Sequence, residues 1–220
     1  MNIKSLISPE FPVLSLDDTG DKALRLMSEF RVFHLPLIQR DNYIALISED
    51  DLLDWDTPEE PLSLAEFLTF RPAIFEQKHP YDAMKLAREL NLSLVPIVNE
   101  YNHFTGVVTS EGLFAYLSDN QGIQAEGSIL ILDMESRNYS LTEIARICES
   151  NDCSVQHLSM QQVDQTGLIQ ITLKVNQTDI EALRATFDRF NYQVVETYSV
   201  ETKKDSIQQN YDMLMHYINI

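Results

Sequence analysis

The apolar positions in the first half of the chain repeat themselves. Shifted by 60 residues, Ala23, Leu26, Met27 and Phe30 fall on Ala83, Leu86, Ala87 and Leu90. Both quartets have the i, i+3, i+4, i+7 spacing that puts four side chains on one helix face. Upstream, Pro12 and Leu14 fall on Pro72 and Ile74. Downstream, Leu35-Pro36-Leu37-Ile38 falls on Val95-Pro96-Ile97-Val98. A polar turn follows, one residue longer in the second copy, and the offset becomes 61. Ala45-Leu46-Ile47-Ser48 then meets Gly106-Val107-Val108-Thr109. The Gln39–Tyr43 and Asn99–Phe104 segments contain Asn and predict hairpin turns. Each copy closes with a short helix starting near Asp51 or Gly112. Each therefore predicts strand, helix, strand, turn, strand, helix. Pro36 and Pro96 are expected where the second strand begins, a place that needs no ladder donor. A unit this small buries little core alone, so the two copies are expected to pack on each other.

Near Gly122–Gly127 the repeat stops and a different pattern begins. Ile129–Leu132 predicts a short strand. Ser140-Leu141-Thr142-Glu143 has the form of a capping box, ahead of a helical face made by Leu141, Ile144, Ala145 and Cys148. Val155–Val163 predicts a strand and Asp164–Gly167 a turn. In Leu168–Val175, Ile169, Ile171, Leu173 and Val175 alternate with Gln170, Thr172 and Lys174, the signature of a strand with one face buried. Thr178-Asp179-Ile180-Glu181 has the form of a second capping box. Ile180, Leu183, Phe187 and Phe190 line the helix behind it, and Gln193–Tyr198 closes with a strand. The order is βαββαβ, the ferredoxin-like plan. The tail, 201–220, predicts one helix with an apolar stripe of Ile207, Tyr211, Leu214, Met215 and Ile218.

Composition narrows the function classes. The 220 residues are 44 % hydrophobic and 23 % charged, an ordinary globular mix. No apolar run approaches the roughly 18 residues a membrane span needs, and no secretory signal is expected. The formal net charge of −18 argues against nucleic acid and against an anionic membrane surface, both of which require clustered Lys and Arg. Two cysteines, Cys148 and Cys153, match no zinc pattern and read as ordinary thiols in a reducing cytoplasm. The five histidines, His34, His79, His103, His157 and His216, stand singly, without metal spacing. No phosphate-cradling glycine loop and no nucleophile elbow occurs. No catalytic residue, metal site or enzymatic activity is expected.

The paired helix–Leu/Val-Pro–strand segments and the small-apolar-apolar-Ser/Thr-x-x-Asp ending resemble the CBS domain family, whose members occur as pairs. The resemblance covers about residues 1–122. The βαββαβ order of residues 127–200 resembles an ACT domain in topology more than in motif. Together they resemble the acetoin-utilisation-type CBS–ACT regulatory proteins of bacteria. The implied fold is mixed α/β (α+β): a CBS pair of two βαββα-type repeats at 1–61 and 62–122, a ferredoxin-like ACT-like domain at 127–200, and a C-terminal helix at 201–220. The ACT-like loop Glu135–Tyr139 has no Gly, which makes backbone approach to an amino acid less easy. Side-by-side association of sheets in a homodimer or higher oligomer is the better-supported role there.

The CBS resemblance implies a regulatory ligand containing adenosine, such as AMP, ATP or S-adenosylmethionine. A carboxylate can accept two hydrogen bonds from vicinal ribose hydroxyls at once, and Ser48 and Asp51 supply that hydroxyl–carboxylate pair. In the second copy Thr109 keeps the hydroxyl, but Gly112 stands where the Asp belongs. By the family's pattern His34, Leu35 and Pro36, with Ser93, Val95 and Pro96, flank the base. Phosphate fits less well. No Lys or Arg occurs from 41 to 70 or from 89 to 136, and Glu49, Asp50, Asp51, Asp54, Asp56, Glu59 and Glu60 follow Ser48. Such a field repels a polyanion, so Arg31, Arg71 or Arg88, Mg²⁺ or a partner subunit would have to compensate. Two plainer readings stand beside these: Asp51 as a helix cap, and His34 as a packed side chain. At the level of function, the alternatives are a small-molecule sensor acting on a dimer or partner and a ligand-free interaction scaffold that regulates a partner protein.

Overall fold

The computed structural model describes residues 2–163 and 167–199. The chain divides into two compact units, Met1–Leu117 and Ser118–Ile220. The turn predicted at 164–166 and the tail helix at 201–220 lie outside the described residues. Among those described, no helix is long and apolar enough to cross a membrane.

In the first unit, each copy of the repeat builds a helix, an antiparallel hairpin and a closing helix. The first copy has α1 (Gly20–Phe30), β1 (His34–Gln39), β2 (Asn42–Ser48) and α2 (Glu49–Leu53). The second has β3 (Ile74–Phe75), α3 (Pro80–Glu89), β4 (Leu94–Val98), β5 (Phe104–Thr109) and α4 (Ser110–Asn120). Thr19 caps α1 by accepting from the Lys22 N–H, and Arg31 ends it in a left-handed conformation. Pro80 opens α3, where a missing N–H costs nothing. The predicted opening strand of each copy shrinks to a single parallel bridge, Leu14 to Leu37, in the first and to two residues in the second.

The prolines correct the expectation. Pro36 and Pro96 lie inside β1 and β4, paired with Leu46 and Val107. The ladder tolerates Pro36 because its backbone faces away from β2. Leu14 N–H donates to the Pro36 carbonyl at 2.8 Å, and Ile38 N–H donates to Leu14 on the same side. One buried cluster unites both copies and includes Ala23, Met27, Leu35 and Leu37 with Ala83, Leu94, Val95 and Ile97.

The fourth position of each helical quartet departs from the pattern. Phe30 is 43 % and Leu90 41 % exposed. Helix periodicity holds along the two helices, with Met27 and Ala87 buried one turn earlier, and only the final position comes out of the core. Both side chains then wall a surface depression.

The second unit is a four-stranded antiparallel sheet with two helices, in the order β6 (Ser128–Glu135), α5 (Leu141–Glu149), β7 (Val155–Val163), β8 (Leu168–Val175), α6 (Glu181–Arg189) and β9 (Gln193–Tyr198). The sheet order is β7-β8-β6-β9. Leu130, Leu132, Ile171, Leu173 and Val175 face a core completed by Ile144, Ile147, Leu183 and Phe187. The first capping box is only half made. Ser140 accepts from the Glu143 N–H, but the Glu143 carboxylate accepts from the Tyr192 hydroxyl at 2.7 Å. The second is absent: α6 starts at Glu181 without a side-chain cap from Thr178, and Asp179 accepts from the Glu181 N–H instead. Phe190 is 41 % exposed and lies under the Arg146 guanidinium, 5.1 Å from ring centre. Cys148 and Cys153 are free and buried. Burial pushes the Cys148 thiol up to about 12, so it is not a ready thiolate.

Candidate functional site

A cleft of about 640 Å³ in the first unit gathers Phe33, His34, Ser48, Glu49, Asp50, Asp51, Phe67, Thr69, Phe70, Leu90 and Asn91. It draws on both copies. β1 and the β2–α2 junction of the first copy form one wall, and the end of α3 with the 67–70 segment forms the other.

Ser48 and Asp51 close a reciprocal cap on α2. Asp51 N–H donates to Ser48 Oγ at 3.1 Å, and Ser48 N–H donates to Asp51 Oδ2 at 3.2 Å. The Ser48 hydroxyl also donates to Asp51 Oδ2, at 2.6 Å. These bonds fall on one carboxylate oxygen and leave Oδ1 outside the cap. The helix-cap reading of Asp51 therefore describes its geometry, and Asp51 is at the same time a lining residue of the cleft.

His34 is held from behind by the second copy. Ser93 N–H donates to its Nδ1 at 3.3 Å, and Ser93 Oγ lies 3.1 Å from the same nitrogen. Ser93 Oγ in turn accepts from the Phe33 N–H at 3.0 Å. An Nδ1 that accepts from a backbone N–H carries a lone pair, so the ring is the neutral tautomer with its proton on Nε2. Burial holds His34 below its ordinary range, against the opposing pull of Asp51 and Asp50. A histidine with a depressed folded value gives stability that is full above its unfolded pKa of about 6.5 and is lost as pH falls through the folded value. The urea midpoint of the parent is therefore expected to fall more between pH 7 and 5 than that of His34→Asn, which keeps an acceptor beside Ser93 but does not titrate. Equal falls in the two proteins would show that His34 contributes nothing.

The other predicted residues lie elsewhere. Leu35 and Val95 are fully buried, and Pro36 and Pro96 are buried in their strands. Their side chains face the interior and do not line the cleft. Ser93 acts behind His34 and is not a lining residue. Thr109 only caps α4, accepting from the Gly112 N–H at 3.0 Å. The predicted arginines, Arg31, Arg71 and Arg88, do not line the cleft. Phe67, Thr69, Phe70 and Asn91 do line it and were not anticipated. Asn91 carried one signal: an Asn just past a helix end suits the left-handed conformation it adopts, φ 53°.

The same offset of 60 maps Phe67, Thr69, Phe70 and Leu90 onto Ile7, Pro9, Glu10 and Phe30. Those residues, with Ser8 and Phe11, line a second, more open depression of about 430 Å³. Its Ser8 and Glu10 do not have the Ser-x-x-Asp spacing of the first cleft, and Phe11 packs edge-on against Phe30 at 5.5 Å. The two copies share a scaffold but not a site.

The CBS domain family model matches residues 3–57 and 72–119. These residues are a CBS domain pair. Solved structures similar to this chain include a CBS domain pair/ACT domain protein of Thermotoga maritima, at 20 % identity and TM-score 0.47, covering 54 % of this chain and 98 % of its own. A putative acetoin utilization protein from Vibrio cholerae is similar at 15 % identity and TM-score 0.48, covering 54 % and 91 %. The CBS-pair protein CBSX2 of Arabidopsis thaliana is similar at 20 % identity and TM-score 0.46, covering 54 % and 94 %.

Proposed function

We propose that this protein is a regulatory sensor whose CBS pair binds an adenosine-containing ligand in the Ser48–Asp51 cleft. The observation that carries the reading is the convergence, in one cleft, of a carboxylate oxygen of Asp51 outside the cap, a neutral His34 and three phenylalanine rings. The carboxylate suits vicinal ribose hydroxyls, and Phe33, Phe67 and Phe70 suit a flat base. Unit two is read as a ferredoxin-like, ACT-like domain, supported by its βαββαβ order and its β7-β8-β6-β9 sheet. Its role is association into a homodimer or larger homo-oligomer in the cytoplasm, through which occupancy of the cleft is passed to a partner.

The structure of CBSX2 is of a complex with AMP, and that of the cytosolic domain of the Mg²⁺ channel MgtE is of a complex with ATP. Those nucleotides, with adenosine and S-adenosylmethionine, are the first probes. A bound ligand at about 100 times its Kd adds roughly 2.7 kcal/mol. The expected result is a concentration-dependent rise in the parent's Tm with at least one adenine compound. The rise should be absent in Ser48→Ala/Asp51→Ala, measured against that variant's own unliganded Tm, because loss of the cap alone costs about 0.5–2 kcal/mol. The second reading, a ligand-free scaffold, is favoured by the fact that Ser48 and Asp51 already satisfy one another. No stabilisation of the parent by any adenine compound would establish it in place of the sensor.

A further inference from the structure

We infer that the cleft selects an adenosine ligand with no net negative charge on its 5′ side, and discriminates against free nucleotide phosphates. The inference rests on the adenosine reading above and concerns only the charge the site accepts. Three of the lining residues, Glu49, Asp50 and Asp51, are carboxylates, and none is a lysine or arginine. The chain as a whole carries a formal charge of −18, so the distant field has the same sign as the local one. A phosphate monoester brings about −1.5 to −2 charges at pH 7.

Several hydrogen-bond donors at the β2–α2 junction that could offset this are committed elsewhere. Glu49 N–H donates to the Phe33 carbonyl at 2.9 Å, and Asp51 N–H to Ser48 Oγ. The Ser48 hydroxyl gives its hydrogen to Asp51. His34 is neutral, with Nδ1 accepting from Ser93, and so brings one N–H and no charge. Nor do the acids form a ready-made metal site that would hold a cation ahead of the phosphate. Among the described residues, no three His, Cys, Asp or Glu side chains are grouped to hold a metal ion.

What remains is a site with stacking surface and a ribose acceptor but no phosphate counter-charge. Phe33 is 62 % and Phe70 38 % exposed, open to a planar base. A neutral nucleoside meets no repulsion there. A ligand with a cationic 5′ side, such as the sulfonium and ammonium groups of S-adenosylmethionine, is drawn in by the same carboxylates that repel AMP.

The test is calorimetry on the full chain with adenosine, S-adenosylmethionine, AMP and ATP, the nucleotides with and without Mg²⁺, at 50 and 500 mM salt. Adenosine and S-adenosylmethionine are expected to bind at least tenfold more tightly than metal-free AMP, and AMP more tightly than ATP. The gap should narrow at high salt, where screening shortens to a few ångströms. It should also narrow in Glu49→Gln/Asp50→Asn, which leaves the Ser48–Asp51 cap untouched. Metal-free AMP or ATP binding as tightly as adenosine overturns the charge selection and leaves the adenosine site standing. So does a gap that neither salt nor the double variant changes. Binding of none of the four compounds removes the adenosine site itself, and the inference with it.

Discussion

Gly127→Ala is expected to destabilise the second unit by on the order of 4 kcal/mol, from backbone strain plus steric overlap. Gly127 leads into β6 with φ +148°, a conformation side-chain-bearing residues rarely adopt. A Cβ there would lie 1.9 Å from the Val175 carbonyl oxygen of β8. That oxygen belongs to backbone and cannot rotate aside. Nor can the chain at 127 simply retreat. The next residue, Ser128, is fully buried, pairs with Val175, and donates its hydroxyl to the Thr178 carbonyl at 3.1 Å. Any shift that relieves the clash breaks the start of the central β6–β8 ladder. A domain's total stability is about 5–15 kcal/mol, so the loss is a large part of it. Gly167→Ala is the control. That glycine also has positive φ, +74°, but nothing stands within 4 Å of its would-be Cβ, so the cost is about 1–2 kcal/mol. Urea unfolding followed by far-UV circular dichroism ranks the two. A Gly127→Ala midpoint no lower than that of Gly167→Ala would contradict the account.

Gly127 also shows which features a sequence exposes. Its need for glycine arises from Val175, almost fifty residues away, and nothing beside it announces this. Long periodic segments are different. The quartets of α1 and α3 and the alternation of β8 each record burial on one face, and burial is what orders those elements. Features decided by a single distant partner escaped. Glu143 fits a capping box in sequence, yet its carboxylate bonds the Tyr192 hydroxyl, from a different element. Leu14 lies in an apolar match to Ile74, but neighbouring chain leaves room for one bridge and no full strand.

The candidate site divides the same way. Ser48, Asp51 and His34 stand within the first copy's helix–strand–strand–helix pattern, which marks them in the sequence, and the fold brings them to one cleft. Phe67, Thr69 and Phe70 come from the connection between the copies, where no periodicity marks a wall. Leu90 is legible as part of a helix face, but it stands at the C-cap of α3 and is 41 % exposed, because spacing reports the face of a helix and not how deeply its end is covered. Leu35 shows the opposite case: Phe33 and His34 before it line the cleft, while the Leu35 side chain is wholly buried.

Ile3→Asp is expected to unfold the first unit, at a cost on the order of 5 kcal/mol for a buried unpaired carboxylate and its lost packing. Ile3 stands near the start of the chain, where ends are commonly loose, yet it is fully buried. The reason is an exchange of connecting segments between the copies. Ile3 N–H donates to the Lys78 carbonyl at 3.1 Å, and Ser8 N–H to Val107 of β5 at 2.9 Å, both in the second copy. In return, Leu46 of β2 donates to the Phe70 carbonyl at 2.8 Å, and the Tyr43 hydroxyl to the Pro72 carbonyl at 2.9 Å. Each copy's hairpin is thus strapped by the segment that precedes the other copy's helix. The straps are also the outer walls of the two depressions, Ile7–Phe11 for one and Phe67–Phe70 for the Ser48–Asp51 cleft. Because one buried cluster contains Ile3, Leu46 and Leu62 together, a charge at Ile3 reaches the cleft through the shared core. Ile3→Val, which keeps the apolar contact, should cost about 1 kcal/mol. Urea denaturation of the two variants, with Trp55 fluorescence as a probe inside the first unit, checks the difference. Trp55 packs edge-on against Phe67 at 5.6 Å, so it reports the strap that walls the cleft. Similar midpoints for Ile3→Asp and Ile3→Val would mean that the N-terminal strap lies on the surface and does not anchor the first unit.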